Sequence, residues 1–181
     1  MNSQTLFQNY FNYSPSSSSD AHGRVNLIGE HTDYNNGFVL PTLIEQKIEV
    51  SLKLRSDSKI VGISEEFGEN TDDLKSKTDG SWLDFVRGVS YYMGKEGYPI
   101  AGLDVAVTSN IPSGSGLSSS AALEISLLRA LSQSTGFLLN SIKMAQIGQL
   151  VEHQFIGTQC GIMDQMAICW IRVWTSFIFG L

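Results

Sequence analysis

Three short segments of this chain concentrate groups that could do chemistry. Residues 23–34, GRVNLIGEHTDY, set Arg24, Glu30, His31 and Asp33 around a short apolar run. Vicinal sugar hydroxyls donate well to carboxylates, and any charge buried there needs a ligand, an arginine or backbone as partner. Taken alone, Glu30 or Asp33 fits a helix cap or a surface loop better. His31 reads as a sugar contact, whereas His22 and His153 read as ordinary polar residues.

The second segment, PSGSGLSSSAA from Pro112, places Gly114 and Gly116 where backbone turns sharply and approaches a ligand closely. Unpaired N–H groups at the start of the following helix, with its dipole, can hold phosphate oxygens, and Ser118, Ser119 and Ser120 offer hydroxyls to phosphate or Mg²⁺. By itself this stretch fits a serine-rich loop that simply N-caps a helix better than an anion site. It is not a Walker loop, because no lysine follows the glycines. Nor is it a dinucleotide fingerprint, which would have a third glycine and an acid where Ser134 and Thr135 stand.

The third, VEHQFIGTQCGIMDQ from Val151, puts Glu152 at the end of an expected helix and Asp164 after a glycine-bounded loop, where both can face one cleft. Phosphoryl transfer calls for one carboxylate on Mg²⁺, which prefers hard oxygen ligands, and another near the attacking hydroxyl. Singly, each fits a solvated acid better. Zinc is excluded, since no HExxH occurs and neither Cys160 nor Cys169 lies at ligand spacing.

Strands and helices must position these groups. Residues 47–55 alternate strictly, with Ile48, Val50, Leu52 and Leu54 on one face, and Leu103, Val105 and Val107 repeat the alternation before the glycine-serine loop. A helix should follow the loop, with Leu123, Leu127, Leu128 and Leu131 at helical spacing and Gly136 as its C-terminal cap. Further helices are expected over 81–95 and 140–155. Trp82, Phe85, Tyr91 and Tyr92 read as core and rim of the first of these. The mixture is α+β, without strict βαβα alternation or internal repeat. Residues 14–19, SPSSSS, read as part of a flexible arm and linker over 1–22, with order beginning near Gly23. The apolar stretch 168–181 is too short to span a bilayer; it reads as a buried strand or as an atypical tail.

Composition frames the rest. With 181 residues, 42% hydrophobic and 17% charged, the chain suits a compact soluble enzyme. A net charge of −6 without a basic cluster argues against nucleic acid as a partner. Two cysteines outside any CxxC pair, and no apolar leader, give the expectation of a cytoplasmic protein that binds no membrane.

Together, GRVNLIGEHTDYNNGFVLP, IPSGSGLSSSAALE and CGIMDQM resemble, in order and spacing, the signature segments of the galactokinases, within the GHMP kinases. The resemblance runs from about Gly23 to Ala167 and implies the GHMP N-terminal domain, a mixed β-sheet backed by helices, over 23–167. It implies ATP and Mg²⁺, with Gly114, Ser115, Gly116, Leu117, Ser118, Ser119 and Ser120 around the phosphates and Ser120 and Glu152 on the metal. Glu30, His31, Asp33 and the stretch from Gly161 to Asp164 would bind galactose. Asp164 would accept the C1 hydroxyl proton, steadied by Arg24. N-acetylgalactosamine and arabinose kinases are close relatives. His22 stands where the family commonly has proline, which would loosen the entry to the first strand. No counterpart of the family's C-terminal domain follows. The expectation is a shortened chain, galactokinase by ancestry, with a non-catalytic sugar- and ATP-binding sensor or an inert fragment as the alternative.

Overall fold

A computed structural model describes residues 1–29, 32–35, 37–171 and 179–180. The alternating segment forms the long strand β3 (Pro41–Arg55), which pairs antiparallel with β1 (Ser17–Asn26) on one side and with β6 (Gly102–Ser109) on the other. β4 (Lys59–Ser64) runs parallel to β6, and β5 (Gly68–Asp73) closes the far edge as a hairpin with β4. The order β1-β3-β6-β4-β5 is therefore a mixed sheet. β2 (Phe38–Val39) and β7 (Phe179–Gly180) form a separate two-stranded ladder.

Helices back the sheet as expected. α2 (Leu83–Lys95), α3 (Ser119–Thr135), α4 (Ser141–Val151) and α5 (Met163–Trp170) bury their apolar faces against it, with Leu103, Val105 and Val107 meeting Ile125, Leu127 and Leu128 in one core. Gly136, left-handed at φ 73°, ends α3, and Asn140 caps α4 by accepting from the Lys143 N–H at 2.8 Å. Beyond α4 the chain widens into a π turn, Glu152–Ile156, closed by Gly157 at φ 82°. Wide turns of this kind recur at functional sites.

The expected flexible arm is instead folded. Residues 3–11 form α1 (Ser3–Phe11), which lies on the sheet face away from α3, buries Phe7 and stacks it on Phe11. The serine run is strand. Ser17 donates to the Ala130 carbonyl at 2.8 Å, Ser18 and Ser3 each meet the Ser51 hydroxyl at 2.8 Å, and Ser16 bonds the Leu52 carbonyl at 3.1 Å. Small side chains let β1 approach α3 and α1 closely, and backbone pairing with β3 outweighs a composition that by itself suggests a linker. His22 pairs with Lys47, and the register shifts just beyond it, between His22 and Arg24.

The tail boundary also moves. α5 continues through Trp170, with Ile168 and Ile171 buried and the Ile168 carbonyl accepting from Arg129 at 3.1 Å, so these residues belong to the domain. The remainder of the expected tail, 172–178 and 181, lies outside the described residues.

One buried cation organises the stretch between β5 and α2. Arg87, only 1% exposed, donates to Asp84 and Asp72 and reaches Asp79 at 3.4 Å, while the Asp84 carboxylate accepts from the Gly80 N–H at 2.8 Å. A buried guanidinium without such partners would be strongly destabilising. The Ser76 hydroxyl, then the Asp73 N–H and Arg87, hold the Asp72 carboxyl below its ordinary range. The stability this gives is complete above that range and is lost as pH falls through the lowered value. Asp72→Asn should therefore flatten the acid limb of a Tm–pH curve below about pH 5; an acid limb as steep as the parent's would remove the linkage. In the core, Leu127→Ala should cost about 2–5 kcal/mol in urea unfolding.

Candidate active site

Arg24 stands beside an irregularity in the sheet. β1 and β3 pair as far as His22 with Lys47 and resume at Arg24 with Leu43, so Gly23 alone faces residues 44–46. A Cβ on Gly23 would stand 2.7 Å from the Leu117 carbonyl. Its absence lets the glycine-serine loop lie on the strand, where the Leu117 carbonyl accepts the Arg24 N–H at 3.1 Å. The extra residues lie on β3, which is therefore the bulged strand here.

The Arg24 guanidinium meets Asp164 in the first turn of α5. Arg24 donates to the same carboxylate oxygen from Nε at 2.8 Å and from Nη2 at 2.6 Å, and Ser118 donates to the other oxygen at 2.5 Å. Arg24 Nη1 also holds the Gly116 carbonyl at 2.7 Å. One strand residue thus ties the loop to the acid through charge-assisted bonds. Asp164 keeps part of its carboxylate exposed, 29% of the side chain, so it is open to a reacting group.

The loop does more than cap a helix. Gly114 and Gly116 turn it at φ 67° and 71°, and Ser118 adopts the left-handed region at φ 58°, a strained choice for serine. Ser118 occupies the N-cap position of α3 yet makes no cap bond; its hydroxyl goes to Asp164. The first-turn N–H groups of α3 are left for another acceptor. Ser115 is engaged by the Pro112 carbonyl at 2.6 Å. Ser119 and Ser120 line a cavity of about 720 Å³ whose apolar walls include Phe67, Trp82, Phe85 and Phe155. Trp82 and Phe85 pack against the core as expected and also line this cavity. An apolar slot ending in a helix N-terminus and hydroxyls suits a flat base with phosphates attached.

Asp33, in a 3₁₀ turn over Asp33–Asn35, lies against Gly161, where a Cβ would fall 1.6 Å from its Oδ2. Glu30 and His31 lie outside the described residues. Glu152 is buried at the start of the π turn. The Cys160 thiol registers how the acids converge. Burial first, then the carboxylates of Glu152, Glu124, Asp164 and Asp33, push it up to about 12. His153 Nε2 at 2.9 Å and Gln149 at 3.2 Å hold the Cys160 carbonyl, fixing the loop that carries Gly161.

Sequence reasoning missed Glu124. It is fully buried on α3, accepts from Gln165 at 3.1 Å, and is pushed well above the ordinary carboxylate range by burial and then by Glu152. The signal was present, since Ala121, Glu124, Ile125 and Leu128 share one helical stripe in which Glu124 is the sole acid. Among the described residues no three His, Cys, Asp or Glu side chains gather closely enough to hold a metal unaided. Ser120 and the buried Glu152 offer hard oxygen donors of the kind Mg²⁺ takes.

Two family models match the chain: the GHMP kinases N terminal domain over residues 84–171, and the galactokinase galactose-binding signature over residues 5–53. Among solved structures, Lactococcus lactis galactokinase complexed with galactose aligns over 96% of this chain and 47% of its own, at 33% identity and a TM-score of 0.83. The Methanococcus jannaschii mevalonate kinase shares the fold over 90% of this chain and 53% of its own, at 18% identity and a TM-score of 0.76. The chain spans about half the length of these relatives. Signature, fold and the convergence of strand, loop and helix agree: the chain belongs to the GHMP kinase family, carrying its N-terminal domain and the sugar-binding signature of the galactokinases.

Proposed function

We propose that this chain is the sugar- and nucleotide-binding part of a galactokinase, which moves the γ-phosphoryl group of ATP onto the C1 hydroxyl of galactose to give galactose 1-phosphate. The observation that carries this reading is the network in which Arg24 joins Asp164 to the Gly116 carbonyl of the phosphate loop. The likeness to a galactokinase that binds galactose supports the choice of sugar.

In this reading ATP lies in the cavity beside Ser119 and Ser120, its phosphates on the first turn of α3. Asp33, Gly161 and the signature residues Glu30 and His31 take the sugar hydroxyls. Asp164 accepts the C1 proton as that oxygen bonds to the γ-phosphorus. The bond to the β-phosphate bridging oxygen breaks, and ADP leaves with the electron pair. Ser120 and Glu152 would hold Mg²⁺, which supplies charge neutralisation at the phosphates. Arg24 keeps the Asp164 carboxylate aimed and stands by to balance the transferring group. Positioning and electrostatics provide most of the acceleration in such reactions, with the base adding about 10²–10⁴-fold. Two unpaired thiols suit a reducing cytoplasm.

ADP release by the purified chain with ATP, Mg²⁺ and galactose tests the reaction, with N-acetylgalactosamine and arabinose in parallel. Galactose should be the preferred acceptor, and Asp164→Ala should lose about 10²–10⁴-fold in turnover while retaining nucleotide binding. Turnover that survives in Asp164→Ala removes the base assignment, and preference for another sugar removes galactose. Calorimetry reads the pocket separately. Gly161→Ala, whose Cβ would displace the Asp33 carboxylate, should abolish galactose binding without moving the affinity for ATP.

A further inference from the structure

Glu124 is a buried acid that the proposed reaction does not use. It joins three helices: its Oε2 on α3 accepts from Gln165 Nε2 on α5 at 3.1 Å, in space left by Gly148 on α4. A Cβ at Gly148 would come within 2.8 Å of Gln165 Cγ and 2.9 Å of Glu124 Oε2. Both partners are essentially inaccessible, and Glu124 Oε1 and Gln165 Oε1 are buried with no hydrogen-bond partner among the described residues. Burying polar atoms unsatisfied is costly, and the leucines around them show that this interior could be closed with apolar side chains.

The geometry of α5 gives the junction a purpose. Ile162, at the N-cap position, makes no side-chain cap bond, and the first turn is closed by backbone alone, the Met166 N–H donating to the Ile162 carbonyl at 3.0 Å. That turn carries Asp164 and Gln165 side by side. Asp164 is held by Arg24 and Ser118, and Gln165 by Glu124. Without the second anchor the turn can rotate or fray, and the carboxylate moves with it.

We infer that Glu124 is a positioning residue for Asp164, fixing the first turn of α5 through Gln165 so that the Asp164 carboxylate faces Arg24 and Ser118. The inference rests on the reading of Asp164 as the group that takes the sugar proton. Its structural half is measurable without turnover.

Three variants test it in the full chain: Glu124→Gln, whose amide oxygen can accept the same bond; Glu124→Leu, which cannot; and Gly148→Ala, which crowds the junction while leaving both partners. The Arg24 Nε–H resonance, assigned by its loss in Arg24→Lys, reports the bond to Asp164 directly. It should stay in place in Glu124→Gln and shift or broaden in Glu124→Leu and Gly148→Ala. In the same two variants kcat should fall on the order of tenfold to a hundredfold, with KM for ATP and for galactose unmoved. If Glu124→Leu does not fold, Gly148→Ala carries the comparison. A folded Glu124→Leu or Gly148→Ala with the parental Arg24 signal overturns the inference, as does loss of the signal in Glu124→Gln. Undiminished turnover in Asp164→Ala would instead strike the proposed reaction, and the resonance would still decide whether Glu124 fixes the helix.

Discussion

Everything at this site depends on one carboxylate being held from two sides. Asp164 accepts three donors, two from a strand arginine and one from a loop serine. Three segments far apart in sequence must therefore arrive together: residue 24 on β1, residues 116–118 in the phosphate loop and residue 164 on α5. Such an arrangement is cooperative in the ordinary sense, because each donor is useful only if the others have already fixed the acceptor. The local departures from regular structure follow from that demand. Gly23 lets the Leu117 carbonyl lie on the strand beside Arg24, the left-handed Ser118 sends its hydroxyl to Asp164 instead of capping, and Asp164 stays partly exposed in the first turn of α5.

Much of this was legible in the residues. Strict alternation over 47–55 specified a strand, though not its burial, since α1 covers Ser51 on the other face and Leu54 is exposed; the leucine spacing after the loop, stopped by Gly136, specified a helix. The three signature segments gave Arg24, the loop and Asp164 as candidates, and the fold brings them into contact. Less legible were features whose cause lies in distant partners. Four consecutive serines carry no strand signal of their own; Ser17, Ser18 and Ser19 enter β1 because β3 offers backbone and the Ser51 hydroxyl and α3 offers the Ala130 carbonyl. Trp82 and Phe85 look alike whether they face a core or a cavity, and what decides is the empty volume beside the loop, which no local pattern encodes. Ile168 reads as the start of a foreign apolar tail in a linear scan, yet in space it completes the buried face of α5.

Two of the buried polar clusters border functional surface. Arg87 and its aspartates hold residues 72–84, part of which walls the cavity. Glu124 and Gln165 hold the turn that carries Asp164. In each case a polar group sits where an apolar one would pack at lower cost. Hydrophobic contacts are nearly isotropic, whereas a hydrogen bond fixes direction, so a polar junction sets an angle that leucines alone leave loose.

The outer strand of the sheet has a different consequence. β5, reading GENTDD, presents an open row of backbone donors and acceptors, the usual template on which a second molecule can add a strand. Along that row stand Glu69 and Asp73, in a chain whose net charge is already −6. A second copy approaching edge to edge brings the same carboxylates with it and meets repulsion before it can pair. The acidic hairpin thus guards against misassembly, and it leaves the molecule's colloidal behaviour tied to whatever neutralises that edge.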